Sequence, residues 1–233
     1  MSYFFNYFQG FCLPMPGNLF ASYVDWFHNF NCSLLFGVLF FVSAMIVYLI
    51  SNKYYLKSYK EYQLAELLCS LIPTVILVIQ MVPSLSILYY QGLMANDSAL
   101  TIKVTGHQWY WSYDYSDIDG LEFDSYMKPL DELKIGEPRL LEVDNRCVVP
   151  VDTNIRFCVT SADVIHSWAL PSFSVKVDAM AGVLSTVNCN FPMVGVYYGQ
   201  CSEICGANHS FMPIALEVTT PEAYKNWVMG NVL

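Results

Sequence analysis

Two long apolar stretches without a charged residue constrain this chain more than any other feature of its sequence. The first, Cys32–Ile50, reads CSLLFGVLFFVSAMIVYLI, and the second is Leu67–Tyr90. An α-helix rises about 1.5 Å per residue, so each stretch is long enough to cross the roughly 30 Å hydrocarbon layer of a bilayer. The chain is therefore predicted to cross a membrane twice, with spans at about residues 29–51 and 67–91.

The residues around the first span decide between a membrane helix and a signal peptide. A signal peptide would need a basic segment before a shorter apolar run, but residues 1–24 contain no Lys or Arg. The loop 52–66 between the spans carries Lys53, Lys57 and Lys60. Short basic loops remain on the inner side of a membrane. The loop is therefore predicted on the inner side, and both chain ends are predicted on the outer side.

The composition changes after the second span. Residues 1–96 contain three acidic and three basic residues, so residues 97–233 carry the whole net charge of −9. A tail with a two-helix membrane hairpin is predicted for residues 1–96, and a polar head domain for residues 97–233. An acidic head argues against nucleic acid as a partner, since nucleic acid requires a basic face. It favours a basic partner.

The head sequence is typical of an all-β sandwich or barrel. The segments LTIKVTG (100–106) and NIRFCVTS (154–161) are rich in β-branched and aromatic residues with partial alternation. Further short runs of this kind are VLSTVNCNF, GVYYGQ and PIALEV, and turn residues separate the runs. The last segment, PEAYKNWVMGNV, begins with proline and is predicted to form a short helix.

Potential metal ligands are concentrated near the end of the chain. The segment GQCSEICGANHSFMP contains Cys201, Cys205, His209 and Met212, and His166 stands upstream in ADVIHSWALP. Thiolate, imidazole and thioether together are typical ligands of copper. Structural zinc sites use Cys and His and seldom Met.

The number of cysteines favours two copper ions over one. A mononuclear blue-copper site uses one Cys, whereas two thiolates can bridge two copper ions that each hold one imidazole and one weak ligand. The backbone carbonyl of Glu203, between the two cysteines, is the candidate for the second weak ligand beside Met212. The alternative is a disulfide between Cys201 and Cys205, which would leave the histidines without a role.

Four motifs of this chain resemble those of cytochrome c oxidase subunit II, and the resemblance covers nearly the whole chain. The motifs are GHQWYWSYDYSD, LLEVDNR, HSWALPS and YYGQCSEICGANHSFMP. It implies a cupredoxin-like Greek-key head with a binuclear copper A centre. Such a centre accepts electrons from cytochrome c and passes them to haem in subunit I, where oxygen is reduced to water and protons are pumped. The implied copper ligands are the side chains of His166, Cys201, Cys205, His209 and Met212, and the carbonyl of Glu203.

The resemblance implies further roles around the copper ligands. The Glu203 carboxylate would bind Mg²⁺ at the contact with subunit I; a surface salt bridge is the alternative. Trp109 would be the point where electrons enter. Residues implied in cytochrome c docking are Gln108, Tyr110, Asp114, Asp124, Tyr126, Asp144 and Asp163. Any one of these carboxylates, taken alone, is typical of a solvated surface group, whereas together they would attract a basic carrier. Glu66 matches a glutamate at the mouth of a proton path, and a simple interfacial charge is the alternative.

The resemblance also implies partners and a location. The partners are oxidase subunits I and III, other subunits of the complex, cytochrome c and membrane lipid. The implied location is the mitochondrial inner membrane, with the head and both chain ends in the intermembrane space; a bacterial membrane with an outward-facing head would satisfy the same physics. A blue-copper carrier, a copper-delivery protein and a structural zinc or disulfide module are the alternatives from other classes. None of them accounts for the hairpin, the acidic head and the ligand set together.

Overall fold

The computed structural model describes residues 13–54, 61–93 and 98–232. The chain divides into two compact units, a hairpin and a head. The hairpin is Tyr23–Gly92. The head unit comprises two segments of the chain, the residues up to Ser22 and the residues from Leu93 onward. The predicted loop residues Lys57 and Lys60, and the predicted domain boundary after residue 96, lie outside the described residues.

Two long helices account for the apolar part of the chain. Helix α1 is Leu19–Ser51 and helix α2 is Gln63–Leu93, and they contain the predicted spans 29–51 and 67–91. Both are long and apolar enough to cross a membrane. Their apolar side chains are exposed on all sides, with Phe40 exposed by 77% and Ile50 by 80%. A helix that is apolar all round but not covered by protein belongs in lipid.

The described part of the head consists of ten strands, one α-helix and two short 3₁₀ turns. The strands are β1 Leu100–His107, β2 Tyr110–Tyr115, β3 Glu122–Ser125, β4 Cys147–Pro150, β5 Asn154–Ser161, β6 His166–Leu170, β7 Val175–Ala179, β8 Ser185–Asn190, β9 Gly195–Gln200 and β10 Pro213–Thr219. The 3₁₀ turns are Pro171–Phe173 and His209–Phe211, and the helix is α3 Pro221–Val232. The predicted C-terminal helix is thus confirmed.

The strands form three sheets, two of mixed direction and one antiparallel. The largest has the order β3-β2-β1-β5-β8, the second has the order β4-β10-β9, and β6 pairs with β7 alone. Strand β1 runs parallel to β5, and β4 runs parallel to β10; the other pairs are antiparallel. The predicted fold class, two apolar helices followed by an all-β head, is confirmed.

Alternation along the strands explains how this sequence makes a closed core. In β1 and β5 nearly every second side chain is buried, as expected where one face of a strand packs inward. The core is rich in aromatic residues, and the Trp168 indole N–H donates to the Tyr113 hydroxyl at 3.3 Å. Strand β9 approaches β6 so closely that a Cβ on Gly199 would lie 1.8 Å from the Ala169 carbonyl oxygen. This approach brings the end of β9 beside the start of β6.

Candidate metal centre

The predicted copper ligands lie at the ends of three strands. His166 is the first residue of β6, Cys201 directly follows β9, and Met212 directly precedes β10. Strands β9 and β10 are antiparallel neighbours, with Gln200 opposite Pro213. The loop between them must therefore return on itself, and this return brings both cysteines, His209 and Met212 to one place.

The first half of the centre is built around Cys201. Its Sγ lies 4.0 Å from Nδ1 of His166 and 3.3 Å from the carbonyl oxygen of Glu203. The ligand atoms of His166, Cys201 and Cys205 all lie within 4.8 Å of one another, and these three residues are buried. A thiol, an imidazole nitrogen and a carbonyl oxygen therefore converge at one place in the folded chain.

The second half is built around Cys205. Its Sγ lies 3.5 Å from Nδ1 of His209 and 3.5 Å from Sδ of Met212. The two cysteine sulfurs are 4.0 Å apart, which is about twice the length of a disulfide bond. The two cysteines are therefore separate thiols in this structure. Each of them has one imidazole and one weak donor beside it.

The donor set fits copper. Two thiolates, two imidazoles, one thioether and one carbonyl are soft or borderline ligands, and thioether and carbonyl are the weak ligands of copper electron-transfer sites. Met212 is only 1% exposed and His166 is fully buried, so these ligands are held within the packed protein. A structural zinc site would require four strong ligands and would have no use for Met212.

The two thiols have different acidities in this arrangement. Burial acts to raise the pKa of Cys201, but hydrogen bonds with His166, with His209 and with the backbone of Glu203 and Ser167 together outweigh burial and lower the pKa to about 7. Burial and the neighbouring Cys201 charge raise the pKa of Cys205 to about 12. Burial acts to lower the pKa of His166, but Cys201 and Asp163 raise it. The first proton to leave therefore comes from Cys201, and metal binding must remove the second.

Asp163 orients the buried ligand His166. One carboxylate oxygen, Oδ1, lies 2.9 Å from Nε2 of His166, while Oδ2 accepts the backbone N–H of Gln108 at 2.8 Å. Because Nε2 is held by the carboxylate, the other ring nitrogen, Nδ1, faces the sulfur. Burial acts to raise the pKa of Asp163, but hydrogen bonds from His166 and Gln108 lower it, so the carboxylate stays ionised.

The turn between β1 and β2 holds the cysteine loop from the other side. The Gln108 side chain donates from Nε2 to the Cys205 carbonyl at 2.7 Å, and the Trp111 indole N–H donates to the Met212 carbonyl at 3.3 Å. Trp109 packs on Gly206, where a Cβ would lie 3.2 Å from its Cζ2 atom. The contacts of Gln108, Trp109 and Trp111 with the cysteine loop were not predicted from the sequence. The contact of Asp163 with His166 was not predicted either, although the three-residue spacing of the two residues is a signal for it.

Several of the predicted docking residues form one surface. The rings of Tyr110 and Tyr126 stack with centroids 4.4 Å apart, and His107 stacks on the other face of Tyr110 at 4.5 Å. The carboxylate of Asp144 accepts the backbone N–H of Tyr126 at 2.8 Å. Asp124 precedes Tyr126 by two residues and is exposed. Aromatic rings and carboxylates thus lie together beside the turn that carries Trp109.

The remaining predicted site groups are Asp114 on β2, Glu66 on α2 and the carboxylate of Glu203. Asp114 lies about 13 Å along β2 from Tyr110, at about 3.3 Å per residue. Glu66 lies in the first turn of α2 and therefore belongs to the hairpin. The Glu203 carboxylate is half-buried and forms no ion pair with any of the residues that the structure describes.

Two family profiles match this chain. The profile for "Cytochrome C oxidase subunit II, periplasmic domain" matches residues 100–219, and the profile for "Cytochrome C oxidase subunit II, transmembrane domain" matches residues 12–87. The first covers the strands and the whole ligand set. The second covers α1 and most of α2, which agrees with the two-pass membrane protein predicted from the sequence.

Full-length relatives and a solved structure agree with the profiles. Cytochrome c oxidase subunit 2 of Ascaris suum is 71% identical over 97% of both chains, and that of Caenorhabditis elegans is 71% identical over 97% of this chain and 99% of its own. The crystal structure of the periplasmic domain of subunit II from Bradyrhizobium japonicum is 50% identical, with a TM-score of 0.55, over 59% of this chain and 96% of that one. The head is therefore cupredoxin-like as predicted, and the chain belongs to the cytochrome c oxidase subunit II family.

Proposed function

We propose that this chain accepts electrons from reduced cytochrome c at a binuclear copper centre and passes them to haem in subunit I. As a member of its family, the chain is a subunit of cytochrome c oxidase, and the reduction of oxygen belongs to subunit I. The observation that supports the electron-transfer role is the paired geometry of the two thiols. Each sulfur has its own imidazole nitrogen and its own weak donor, within 3.3 to 4.0 Å.

The residues that would hold the copper pair are those predicted from the sequence. The thiolates of Cys201 and Cys205 would hold the ions together with one imidazole nitrogen each from His166 and His209. Met212 and the Glu203 carbonyl would be the weak ligands. When bound, the pair supplies a reversible one-electron acceptor. Both cysteines, His166 and Met212 are buried, which would limit the movement of these ligands when an electron is gained or lost.

The position of Trp109 supports its proposed role in receiving electrons. The indole is half-buried and packs on Gly206, which directly follows the ligand Cys205. The sequence neighbours of Trp109 are Gln108 and Tyr110, which belong to the proposed docking surface. A cytochrome bound there would thus have an aromatic ring between its own surface and the copper loop. The acidic groups around it would attract a basic partner.

The proposal extends to magnesium, to the membrane and to the other subunits. The Glu203 carbonyl faces Cys201, which leaves its carboxylate available for a Mg²⁺ shared with subunit I; oxygen ligands suit that ion. The helices would lie in the mitochondrial inner membrane beside lipid and subunits I and III. The head and both chain ends would face the intermembrane space. The basic loop between the helices supports this orientation.

Electron paramagnetic resonance on the copper-loaded protein tests the central claim. One unpaired electron coupled equally to two copper nuclei is the expected result. Coupling to a single nucleus would mean a mononuclear carrier, and a silent sample that retains copper would mean a Cu(I)-handling protein. Cys158→Ser is the matched control, because Cys158 lies on β5 and is not among the converging ligands. Cys205→Ser should abolish the equal coupling, whereas the control should retain it.

A further inference from the structure

Two amides meet between the membrane helices. The Gln80 side chain of α2 donates from Nε2 to Oδ1 of Asn31 on α1 at 3.0 Å. Both side chains are half-buried within the hairpin. Among the described residues, Asn31 is the hydrogen-bond partner of the Gln80 side chain. Each amide has two N–H donors and an oxygen with two lone pairs. In the part of the chain that the structure describes, the two amides form only this one hydrogen bond, so most of their hydrogen-bonding groups are unused.

The depth of this pair follows from the aromatic residues above it. Tyr23 and Tyr90 meet edge to face, with centroids 5.8 Å apart, and aromatic side chains of this kind mark membrane interfaces. Asn31 lies about 12 Å along α1 from Tyr23, and Gln80 lies about 15 Å along α2 from Tyr90, at 1.5 Å per residue. Gln80 therefore lies well inside the predicted span 67–91, and Asn31 lies near the outer end of the predicted span 29–51.

The pair lines a cavity on the hairpin. The cavity has a volume of about 430 Å³, and Ser84 adds a hydroxyl to the two amides while apolar side chains such as Phe27 and Met81 form the rest of its wall. Within the described residues, the Ser84 hydroxyl has no hydrogen-bond partner, unlike Ser70 and Ser86, which donate to carbonyls of their own helix. Three polar groups thus face one opening.

Lipid chains cannot satisfy these groups. Unpaired polar groups in hydrocarbon are unfavourable, and polar residues in membrane helices accordingly face other helices and hydrogen-bond with them. The cavity contains no charged side chain. A charged partner would therefore remain uncompensated, whereas an uncharged side chain that can both donate and accept would match amides and a hydroxyl together.

We propose that the cavity formed by Asn31, Gln80 and Ser84 is a docking site for a transmembrane helix of a neighbouring oxidase subunit, which inserts an uncharged hydrogen-bonding side chain (Ser, Thr, Asn or Gln). The proposal rests on the membrane position of the hairpin and is independent of the copper centre. The partner amide or hydroxyl completes the hydrogen bonds that Asn31 and Gln80 leave open. The site therefore fixes which face of the hairpin meets the rest of the complex.

A set of substitutions in the whole oxidase distinguishes two roles for the Asn31–Gln80 pair. In the first the pair binds a partner helix, and in the second it only joins α1 to α2. Asn31→Leu and Gln80→Leu each leave one amide without a partner. The double variant contains neither amide, so an apolar contact between two leucines replaces the hydrogen bond between α1 and α2. Thr74→Val is the matched control, because Thr74 is exposed on α2 and its hydroxyl donates to the Ser70 carbonyl of its own helix. The measurement is the fraction of this chain that remains in the complex as detergent is increased, followed by native electrophoresis.

Docking and hairpin stabilisation predict opposite results for the double variant. We expect both single variants and the double variant to increase the ratio of released to retained chain by roughly three- to tenfold, as for one lost hydrogen bond between membrane helices. Thr74→Val should behave as the parent. A double variant that is retained like the parent would overturn the proposal, since the pair would then serve the hairpin alone.

Cross-linking identifies the occupant. A photoreactive side chain in place of Met81, on the wall of the cavity, should attach to a helix of one identified subunit, next to a Ser, Thr, Asn or Gln. Attachment only to lipid, or to a helix segment without such a residue, would overturn the proposal. An unchanged electron paramagnetic resonance signal in the same samples shows that any loss of association is not a failure of the copper site.

Discussion

Asp163 binds His166 through the ring nitrogen that does not face the cysteines: its Oδ1 atom lies 2.9 Å from Nε2 of His166. The sequence places Asp163 among the acidic residues proposed to attract cytochrome c. The structure adds a second role, because the same carboxylate also accepts the backbone N–H of Gln108 next to Trp109. One side chain thus connects a proposed metal ligand to the proposed docking surface.

The effect of Asp163→Asn on copper retention tests this second role. An amide keeps the size of the side chain but loses the charge that makes the His166 imidazole a stronger ligand. Loss of such a supporting group typically weakens metal binding by about 10- to 100-fold. We expect the variant to lose copper faster to a chelator, as measured by the metal content of the purified oxidase over time.

Asp124→Asn is the control for that experiment. Asp124 is an exposed member of the proposed docking surface, and its carboxylate contacts none of the proposed copper ligands. Both substitutions remove one negative charge from the head. Equal copper loss in the two variants would show that net charge, and not the contact with His166, determines retention.

A glycine behind the same ligand is expected to be equally sensitive. A Cβ on Gly106 would lie 2.9 Å from Cδ2 of His166 and 3.1 Å from Cζ3 of Trp111. Both rings are fully buried, so neither can move away without displacing the ligand or its support. Gly106→Ala should therefore change the copper hyperfine pattern and accelerate copper loss by at least about tenfold. Gly230→Ala is the control, since nothing lies within 4 Å of that position; a normal spectrum in both variants would contradict the prediction.

Local sequence patterns predicted the fold and the ligand set, whereas long-range contacts could not be predicted. The apolar runs, the alternation in β1 and β5 and the loop from Cys201 to Met212 are all readable within short segments. The contact of Gly106 with His166 depends on β1 lying near β6, and the approach of Gly199 to Ala169 depends on β6 lying beside β9. A single sequence does not reveal which distant strands become neighbours. These supports therefore emerge only from the structure.

A buried carboxylate away from the metal centre is predicted to control the acid stability of the head. Glu142 is 1% exposed; it pairs with Arg146 at 2.8 Å and accepts the Tyr198 hydroxyl at 2.7 Å. Burial acts to raise its pKa, but these partners outweigh burial and hold the pKa below its usual value of 4.5. The carboxylate therefore stabilises the fold fully above about pH 4.5, and this contribution is lost as the pH falls through the lower folded-state pKa.

Glu142→Gln measures that contribution. The substitution leaves Arg146 with only its more exposed partner Glu217. We expect a loss of about 2 to 3 kcal/mol in the free energy of unfolding at neutral pH. The loss is not larger because Arg146 is partly solvated. Denaturant unfolding of the isolated head from about pH 7 to about pH 3 should show the variant and the parent converging at the acid end. Glu217→Gln should cost less than about 1 kcal/mol, since that carboxylate is exposed. A gap that stays constant with pH would contradict the assignment.

The proposed docking surface predicts a steep dependence of turnover on salt. Carboxylates beside the Tyr110–Tyr126 stack should attract a basic cytochrome at low ionic strength, and salt screens that attraction over about 10 Å at 0.1 M. We expect the rate with cytochrome c to fall by at least about tenfold as salt is raised to physiological strength and above. Asp124→Asn should flatten the curve more than Asp114→Asn, which changes a residue farther along β2. Equal slopes for the two variants would place the docking surface elsewhere, and a small uncharged electron donor serves as the control substrate.

The position of Glu66 in the structure permits a direct test of its proposed role in proton uptake. It lies in the first turn of α2, where its side chain is exposed and its carbonyl accepts the Ser70 hydroxyl at 3.0 Å. Glu66→Gln removes the ionisable group while keeping the size of the side chain, so the helix and the Ser70 contact should be unaffected. We expect slower proton uptake and slower turnover, with unchanged reduction of the copper centre by cytochrome c. Glu61→Gln is the control, because Glu61 precedes α2 and is also an exposed acid of the same loop. If both variants turn over at the parental rate, Glu66 is an ordinary interfacial charge, and the proton path begins at another residue.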